Sequence, residues 1–140
     1  MAANITTMQS EVTFLDLIDK NNILIPVIQR DYAQGRTDEK TTKIREGFIS
    51  SIMDKLLSDN NDQSLLLDFI YGSTNENLTF TPLDGQQRLT TLFLLHWYLV
   101  PTENLKMLSK TKNDIISSMF SYETRISSKD FCDALVKIPL

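Results

Sequence analysis

The sequence feature that most constrains the fold is a polar turn followed at once by a long apolar run, between Leu83 and Val100. The turn, Asp84–Arg88, carries an acid, a glycine, two amides and a guanidinium. The residues after it are almost all apolar and rich in Leu, in a run too long for a typical strand. The pattern predicts a polar turn that leads directly into a buried helix in the middle of a domain.

The start of this helix has the chemistry of an anion site. The first N–H groups of a helix have no partner within it, and the helix dipole makes that end positive. Gly85 would let an anion approach the backbone, and Arg88 could fork onto a phosphate or a carboxylate. Asp84 could cap the helix or help to hold a divalent cation on the same ligand. The plainer alternative, in which Asp84 is only an N-cap and Arg88 only its ion-pair partner, stays open here.

Composition and charge narrow the class of protein. The chain has 140 residues, 41% hydrophobic and 23% charged, which suits one α+β or α/β domain with a sizeable core. Its net charge is −4, whereas a domain that holds nucleic acid by itself is usually basic. One cysteine, Cys132, and one histidine, His96, leave no internal disulfide, no Cys-based zinc site and no His-rich metal site. We interpret His96 as a core or boundary residue and Cys132 as a packing residue.

The sequence also bears on location. The N-terminus has no charged region followed by an apolar one, so no signal peptide is recognised. The longest apolar run is too short to span a bilayer. A cytoplasmic protein without membrane contact is the expectation.

Two helices and a strand are predicted before the central turn. Thr13 and Asp16 form an approximate capping box for a short helix that ends near Asp19. Thr37 is the expected N-cap of a longer helix whose apolar residues, from Ile44 to Leu57, recur with helical periodicity.

Between these helices, residues 22–28 are β-branched and apolar and predict a strand, with Pro26 at an edge, a bulge or the strand's end. Gln29 and Arg30 follow this strand. Side chains at a strand's end often line a crevice. They are either ordinary loop residues or a second arm of one anion pocket beside Arg88.

A β-hairpin is predicted directly before the central turn. Residues 65–71 and 77–83 are the expected strands, with a turn at Gly72–Asn75. Pro101 is expected to end the central helix, and the elements after it are short. These are a helix over 103–109 capped by Thr102, a loop over 110–113, a segment at 114–122 that fits helix or strand, and a helix over 129–137 capped by Ser128.

Three segments together resemble the N-terminal domain family of GmrSD-type restriction proteins. Residues 25–32 contain a P-x-x-Q-R-x-Y pattern like the family's opening motif. Asp68–Gly72 resembles its middle strand, and Leu83–Leu92 contains its hallmark D-G-Q-Q-R-L-T-T-L. The segment from Phe120 to Cys132 is similar to one branch of the family, and the resemblance covers about residues 13–135.

The resemblance implies an α+β domain with a small ParB/sulfiredoxin-like sheet packed against several helices. In that fold a G-x-x-R turn contacts nucleotide phosphate, here Gly85 and Arg88. It implies a nucleotide-binding regulatory domain of a modification-dependent restriction system in bacterial phage defence, with hydrolysis of the nucleotide left open. Gln34 stands where many members carry Trp, so any role of that Trp is not carried over.

The resemblance assigns roles residue by residue. The catalytic set would be Asp84, Gln86 and Gln87, the nucleotide-binding set Gln29, Arg30, Gly85 and Arg88, and the Mg²⁺ ligand Asp84. The ligand would be an NTP with Mg²⁺. There is no G-x-x-x-x-G-K-[ST] loop, so the chain is not a P-loop enzyme.

The expected partners follow from the same family. They are a nuclease domain downstream in the same chain or in a partner subunit, and DNA contacted through the full-length protein. No nuclease motif is seen in these residues. We expect residues 1–12 to be frayed and 13–140 to form one domain cut from a longer chain.

Two other classes of function stay open. One is a non-catalytic module that recognises modified DNA or a partner protein. The other is a scaffold in which the turn is only a buried Asp–Arg pair.

Overall fold

The computed structural model describes residues 11–26, 36–58, 64–112, 115–123 and 126–137. Gln29 and Arg30 lie outside these residues. The described part is a mixed α+β fold, as the sequence predicts. Its elements are α1 (Phe14–Lys20), β1 (Asn22–Ile25), α2 (Glu39–Leu57), β2 (Tyr71–Thr74), β3 (Thr79–Asp84), α3 (Gln86–Leu99), a 3-10 helix (Thr102–Leu108), β4 (Ser109–Lys112), β5 (Ile115–Ser118), β6 (Phe120–Tyr122) and α4 (Ile126–Leu135).

The main sheet has four strands in the order β2-β3-β1-β6. The central strand β1 runs parallel to both of its neighbours, so Ile23 lies between Phe80 of β3 and Phe120 of β6. Strand β2 pairs antiparallel with β3 at one edge. Strands β4 and β5 form a separate antiparallel pair.

The core forms where α1, α3 and α4 meet this sheet. Leu89 and Phe93 of α3 are fully buried, and the ring of Phe93 stacks on that of Phe120 with centroids 5.0 Å apart. Burial of a side chain such as Phe93 contributes roughly 2–3 kcal/mol. The other buried apolar residues are Phe14, Ile18, Ile23, Ile25, Leu108, Cys132, Leu135 and Val136. The helix after the polar turn is therefore central to the core, as expected.

The burial of α3 is not uniform along its length. Its first two turns are the buried part, whereas Tyr98 and Leu99 at its end are exposed. The helix stops at Val100, directly before Pro101, as the sequence predicts. The apolar run thus supplies a buried helix that rises to the surface at its C-terminal end.

Local signals near the N-terminus predict the structure well. The capping box of α1 is present, with Asp16 N donating to Thr13 Oγ1 at 3.1 Å and Thr13 N donating to Asp16 Oδ2 at 3.2 Å. Strand β1 ends at Ile25, and Pro26, which has no N–H to give to a ladder, follows it directly. The rest of the predicted strand, residues 27–28, lies outside the described residues.

Helix α2 differs from its prediction in two ways. Its N-cap is Asp38, whose carboxylate accepts a hydrogen bond from Thr41 N at 3.0 Å, and not Thr37. None of its side chains is buried, although the apolar stripe is periodic. The periodicity correctly indicates an amphipathic helix, but it cannot show which surface covers the apolar side.

A hairpin is present, but its first strand is Tyr71–Thr74 and not residues 65–71. The prediction of a turn at Gly72–Asn75 is therefore wrong for Gly72–Thr74, and the turn follows at residues 75–78. Residues 64–70 have no regular secondary structure, and strand pairing begins only at Tyr71. The reason is local, because Asp68 has a φ of 93°, which an extended strand does not allow. The turn is closed by the side chain of Asn75, whose oxygen accepts from the N–H groups of Asn77 and Thr79 at 3.0 Å.

Several predictions for the C-terminal part are wrong. Thr102 lies within the 3-10 helix, whose N-cap is Pro101, and Ser128 lies within α4. The loop predicted over 110–113 is strand β4 up to Lys112, and the ambiguous segment after it forms β5 and β6. Strand β4 is polar, so its pairing with β5 gave no alternating signal in the sequence.

We expect Thr13→Ala to lower the free energy of unfolding by about 1 kcal/mol, because it removes the oxygen that caps α1. Thr37→Ala is the matched control, since Thr37 precedes the cap of α2 and is exposed. Urea unfolding of both variants measures the difference. Equal stability of the two variants would contradict the assignment of the caps.

Candidate functional site

The candidate site is built on the single residue that joins β3 to α3. Gly85 has φ 87° and ψ 4°, a left-handed conformation that favours glycine. A Cβ atom there would lie 2.7 Å from Cγ1 of Ile70, so a side chain would also clash. The sequence therefore needs glycine for both reasons, and this turn fixes how α3 leaves the sheet.

Gly85 is also the N-cap of α3, and among the described residues no side chain caps this helix. The alternative in which Asp84 is the N-cap is therefore wrong, because Asp84 is still the last residue of β3. The first hydrogen bond of the helix joins Leu89 N to Gly85 O at 3.0 Å. The backbone N–H groups of Gln86 and Arg88 therefore lie before the first hydrogen bond of the helix and have no acceptor within it.

Arg88 is held by the chain before the hairpin. Its Nη1 lies 3.0 Å from Oδ2 of Asp68, and its Nη2 donates to the carbonyl oxygen of Phe69. Asp84 Oδ2 lies 4.0 Å from Nη2, at the limit of an ion pair. The main partner of Arg88 is therefore Asp68, and the pair with Asp84 named in the plainer alternative is present as the longer of the two ion pairs.

The exposure of these three side chains defines the site. The Arg88 side chain is 23% exposed, whereas those of Asp68 and Asp84 are 63% and 62% exposed. Nε of Arg88 is buried and has no hydrogen-bond partner within the described residues. The guanidinium thus lies at the border of the core, with two solvent-facing carboxylates beside it.

The two glutamines differ in their surroundings. Gln86 is 9% exposed and counts among the buried residues, whereas Gln87 is half-buried. The carbonyl oxygen of Gln86 accepts a hydrogen bond from Thr90 Oγ1 at 2.8 Å, and that hydroxyl lies 3.1 Å from Tyr122 Oη. These contacts connect the start of α3 to β6 at the other side of the sheet.

The structure brings together one part of the predicted site. Asp84, Gly85, Gln86, Gln87 and Arg88 form one continuous turn at the end of β3. The proposed second arm, Gln29 and Arg30, lies outside the described residues and stays a prediction.

Sequence reasoning missed Asp68 as a partner of Arg88. The one available signal was an acid in an otherwise apolar segment, Leu65–Tyr71, and it was read as part of a strand.

The carboxylates of Asp68 and Asp84 are the nearest metal-ligand types in this site. Within the described residues, no group of three or more His, Cys, Asp and Glu side chains is placed to hold a metal. Mg²⁺ that binds with a nucleotide needs only one or two protein carboxylates, because phosphates and waters supply the other ligands. The site thus offers two exposed carboxylates as oxygen ligands for a cation.

Two residues interpreted as packing groups are placed as expected. His96 is half-buried, with Nδ1 2.8 Å from the carbonyl oxygen of Leu92 and its ring 4.8 Å from that of Phe14. Cys132 is buried in the core, and burial raises the pKa of its thiol to about 12. Neither lies in the turn that carries Arg88.

A model of a known family matches this chain. The family is described as the GmrSD restriction endonuclease, N-terminal domain, and the match covers residues 14–139. None of the curated proteins and none of the solved structures gives a significant match. In the described part of the chain, every helix is too short or too polar to cross a membrane.

We expect Gly85→Ala to lower the free energy of unfolding by more than about 2 kcal/mol, because it adds left-handed strain and a clash with Ile70. Gly47→Ala is the matched control, since no atom lies within 4 Å of its added Cβ in α2. The control should be neutral or stabilising by up to about 1 kcal/mol. Thermal and urea unfolding measure both, and a neutral Gly85→Ala would show that the turn is not constrained.

We expect Cys132 to resist alkylation in the folded protein at pH 8, because the thiolate is the reactive form. The pKa rises from its usual 9.0 to about 12, so the stability from burying the neutral thiol is complete below pH 9. That stability is lost as the pH rises towards 12. Iodoacetamide labelling followed by mass spectrometry tests this, with urea-unfolded protein as the control. Equal labelling rates in both states would contradict a buried thiol.

Proposed function

This chain belongs to the GmrSD restriction endonuclease N-terminal domain family, and from that premise we propose that it binds a nucleoside triphosphate at Arg88. In this proposal it is the nucleotide-dependent regulatory domain of a restriction system. The observation that carries the proposal is that Arg88 already holds one oxyanion, the carboxylate of Asp68, at the start of α3. Nη1 contacts that carboxylate and Nη2 contacts the carbonyl oxygen of Phe69, so the two donors already hold two oxygen atoms side by side, which is the geometry that forks onto a phosphate.

The position of Arg88 favours a phosphate over other anions. It is the third residue of α3, within the first turn, where the helix dipole stabilises negative charge. Its side chain is 23% exposed, so it is partly open to solvent. A triphosphate supplies several negative oxygens, which suits a fixed fork at a positive helix end.

The other residues of the turn are proposed to assist this ligand. Asp84 is the residue that would hold Mg²⁺, because its carboxylate is exposed and only 4.0 Å from Nη2 of Arg88. When bound, Mg²⁺ neutralises charge on the phosphates. Gln86 and Gln87 are proposed to position the attacking water, as glutamine does in other phosphoryl-transfer enzymes. Gln29 and Arg30 are proposed as a second arm on the same phosphates.

The remaining partners are proposals from the family. Its description names an N-terminal domain of a restriction endonuclease, so we propose that a nuclease domain in the same protein or a partner subunit cuts DNA. The net charge of −4 argues that this domain does not hold DNA by itself. Its role would then be to report the nucleotide state to the part that does.

A second candidate function is a binding module without catalysis, which recognises modified DNA or a partner protein. The observation that favours it is that both terminal nitrogens of Arg88 already have protein acceptors. In that case the turn would be a structural clamp between the start of α3 and residues 68–69. Titration calorimetry of the chain with ATP or GTP and Mg²⁺ separates the two functions, because a clamp gives no heat of nucleotide binding.

We expect Arg88→Ala to weaken nucleotide binding by at least about tenfold, because it removes a charged fork worth more than 1.4 kcal/mol. Arg45→Ala is the control, since it removes a guanidinium from α2, outside the Gly85–Arg88 turn. Calorimetry measures the affinity, and thermal unfolding checks that both variants are folded. Unchanged affinity in folded Arg88→Ala would rule out Arg88 as the phosphate ligand.

A further inference from the structure

Arg88 is hydrogen-bonded to a segment, residues 64–70, that forms few other hydrogen bonds with the rest of the protein. Residues 64–70 precede β2 without regular secondary structure, and Leu66 and Phe69 are largely exposed. Among the described residues, the hydrogen bonds from this segment to the rest of the protein are the two that Asp68 and Phe69 form with Arg88. Ile70 anchors the end of the segment, because it packs on Gly85 and the core.

Two features indicate that the contact between Arg88 and residues 68–69 is strained on one side and incompletely hydrogen-bonded on the other. Asp68 has a φ of 93°, which non-glycine residues rarely adopt, and its Oδ1 accepts from Phe69 N at 2.8 Å. Nε of Arg88 is buried without a partner in the described part of the chain. Strained backbone and an unsatisfied buried donor are typical of elements that have a second conformation.

We propose that Asp68 and Phe69 form a latch that occupies the phosphate position of Arg88 and is displaced when a nucleotide binds. The inference rests on the proposed function and adds its regulation. The carboxylate of Asp68 takes the place of a phosphate oxygen on Nη1, and the carbonyl oxygen of Phe69 takes a second place on Nη2. Ligand and latch therefore compete for the same two donors.

Charge determines which carboxylate moves. A triphosphate on Arg88 would lie against both Asp68 and Asp84, and like charges at such distances repel. The backbone of Asp84 is held in β3, where it pairs with Tyr71, so Asp84 has less freedom to move than Asp68. Asp68 lies in the irregular segment and can rotate away into solvent. Displacement thus releases residues 64–69 while the sheet stays intact.

The release has a structural consequence at the edge of the sheet. The segment continues directly into β2, where the pairing with β3 shifts register between Tyr71 and Gly72. This shift interrupts the regular ladder at the start of β2, so a change in the chain before Tyr71 need not disturb the pairing from Gly72 onward. Binding of a nucleotide would therefore make residues 64–70 less ordered, beside the exposed strand β2.

The test compares Asp68→Asn with Glu76→Gln in the whole chain. Asparagine removes the charge of the latch but tolerates the left-handed conformation, so the backbone is not newly strained. Glu76 lies in the turn of the same hairpin and is exposed, so its variant removes an equal charge nearby without touching Arg88. Hydrogen exchange read by mass spectrometry and nucleotide titration by calorimetry are the two measurements.

Without nucleotide, we expect amide exchange over residues 64–71 to rise in Asp68→Asn and to stay unchanged in Glu76→Gln. With NTP and Mg²⁺, we expect Asp68→Asn to bind about fivefold more tightly than the natural chain, since the competitor is weakened. NTP should also raise exchange over the same residues in the natural chain. Together these three results would support the latch.

Other results overturn it in distinguishable ways. Weaker binding by Asp68→Asn would show that Asp68 holds the ligand, and equal binding by both variants would show no competition, while nucleotide binding itself would stand. If no variant binds NTP, the proposed function fails and the competition fails with it. The exchange measurement without nucleotide would then still decide whether Asp68 holds the segment on Arg88.

Discussion

The packing of α3 against the sheet is the constraint on which the rest of the structure depends. Leu89 and Phe93 are fully buried, and the stack of Phe93 on Phe120 fixes the helix relative to β6. Only one residue separates α3 from β3, so the chain must turn sharply between two fixed elements. Gly85 makes that turn in a left-handed conformation. Arg88 precedes the buried Leu89 by one residue, which is about 100° around the helix, and so lies at the border of the core.

The charges around Arg88, at the border of the core, link the fold to the proposed chemistry. One guanidinium faces two carboxylates, so the local charge is already negative before any ligand arrives. An added triphosphate needs either a cation or the departure of one carboxylate. In the proposed function, Mg²⁺ bound with the nucleotide would provide the first, and movement of Asp68 would provide the second. The same three side chains therefore support both the metal dependence of the proposed function and its regulation.

The sequence predicted those features that depend on neighbouring residues. The capping box of Thr13 and Asp16, the special role of Gly85 and the stop at Pro101 each need only a few residues of local pattern. The family likewise follows from short motifs, and the match over residues 14–139 confirms it. The ParB/sulfiredoxin likeness stays a prediction.

The features that were not predicted depend on partners far away in the chain. Asp68 meets Arg88 across 20 residues, and a lone acid in an apolar segment does not indicate which residue it contacts. Strand β4 forms only because β5 pairs with it. The apolar stripe of α2 shows its amphipathic character but not its partner. These contacts become visible only once the chain is folded.

The most direct measurement of nucleotide binding at Arg88 is an NMR titration that follows its Nε–H group. In the structure this group is buried and has no hydrogen-bond partner among the described residues, so its resonance should respond strongly to any new arrangement of the guanidinium. We expect NTP with Mg²⁺ to shift this resonance saturably, together with the backbone amides of Asp68 and Phe69. An unchanged Arg88 Nε–H signal at saturating NTP would contradict the assignment of Arg88 as the phosphate ligand.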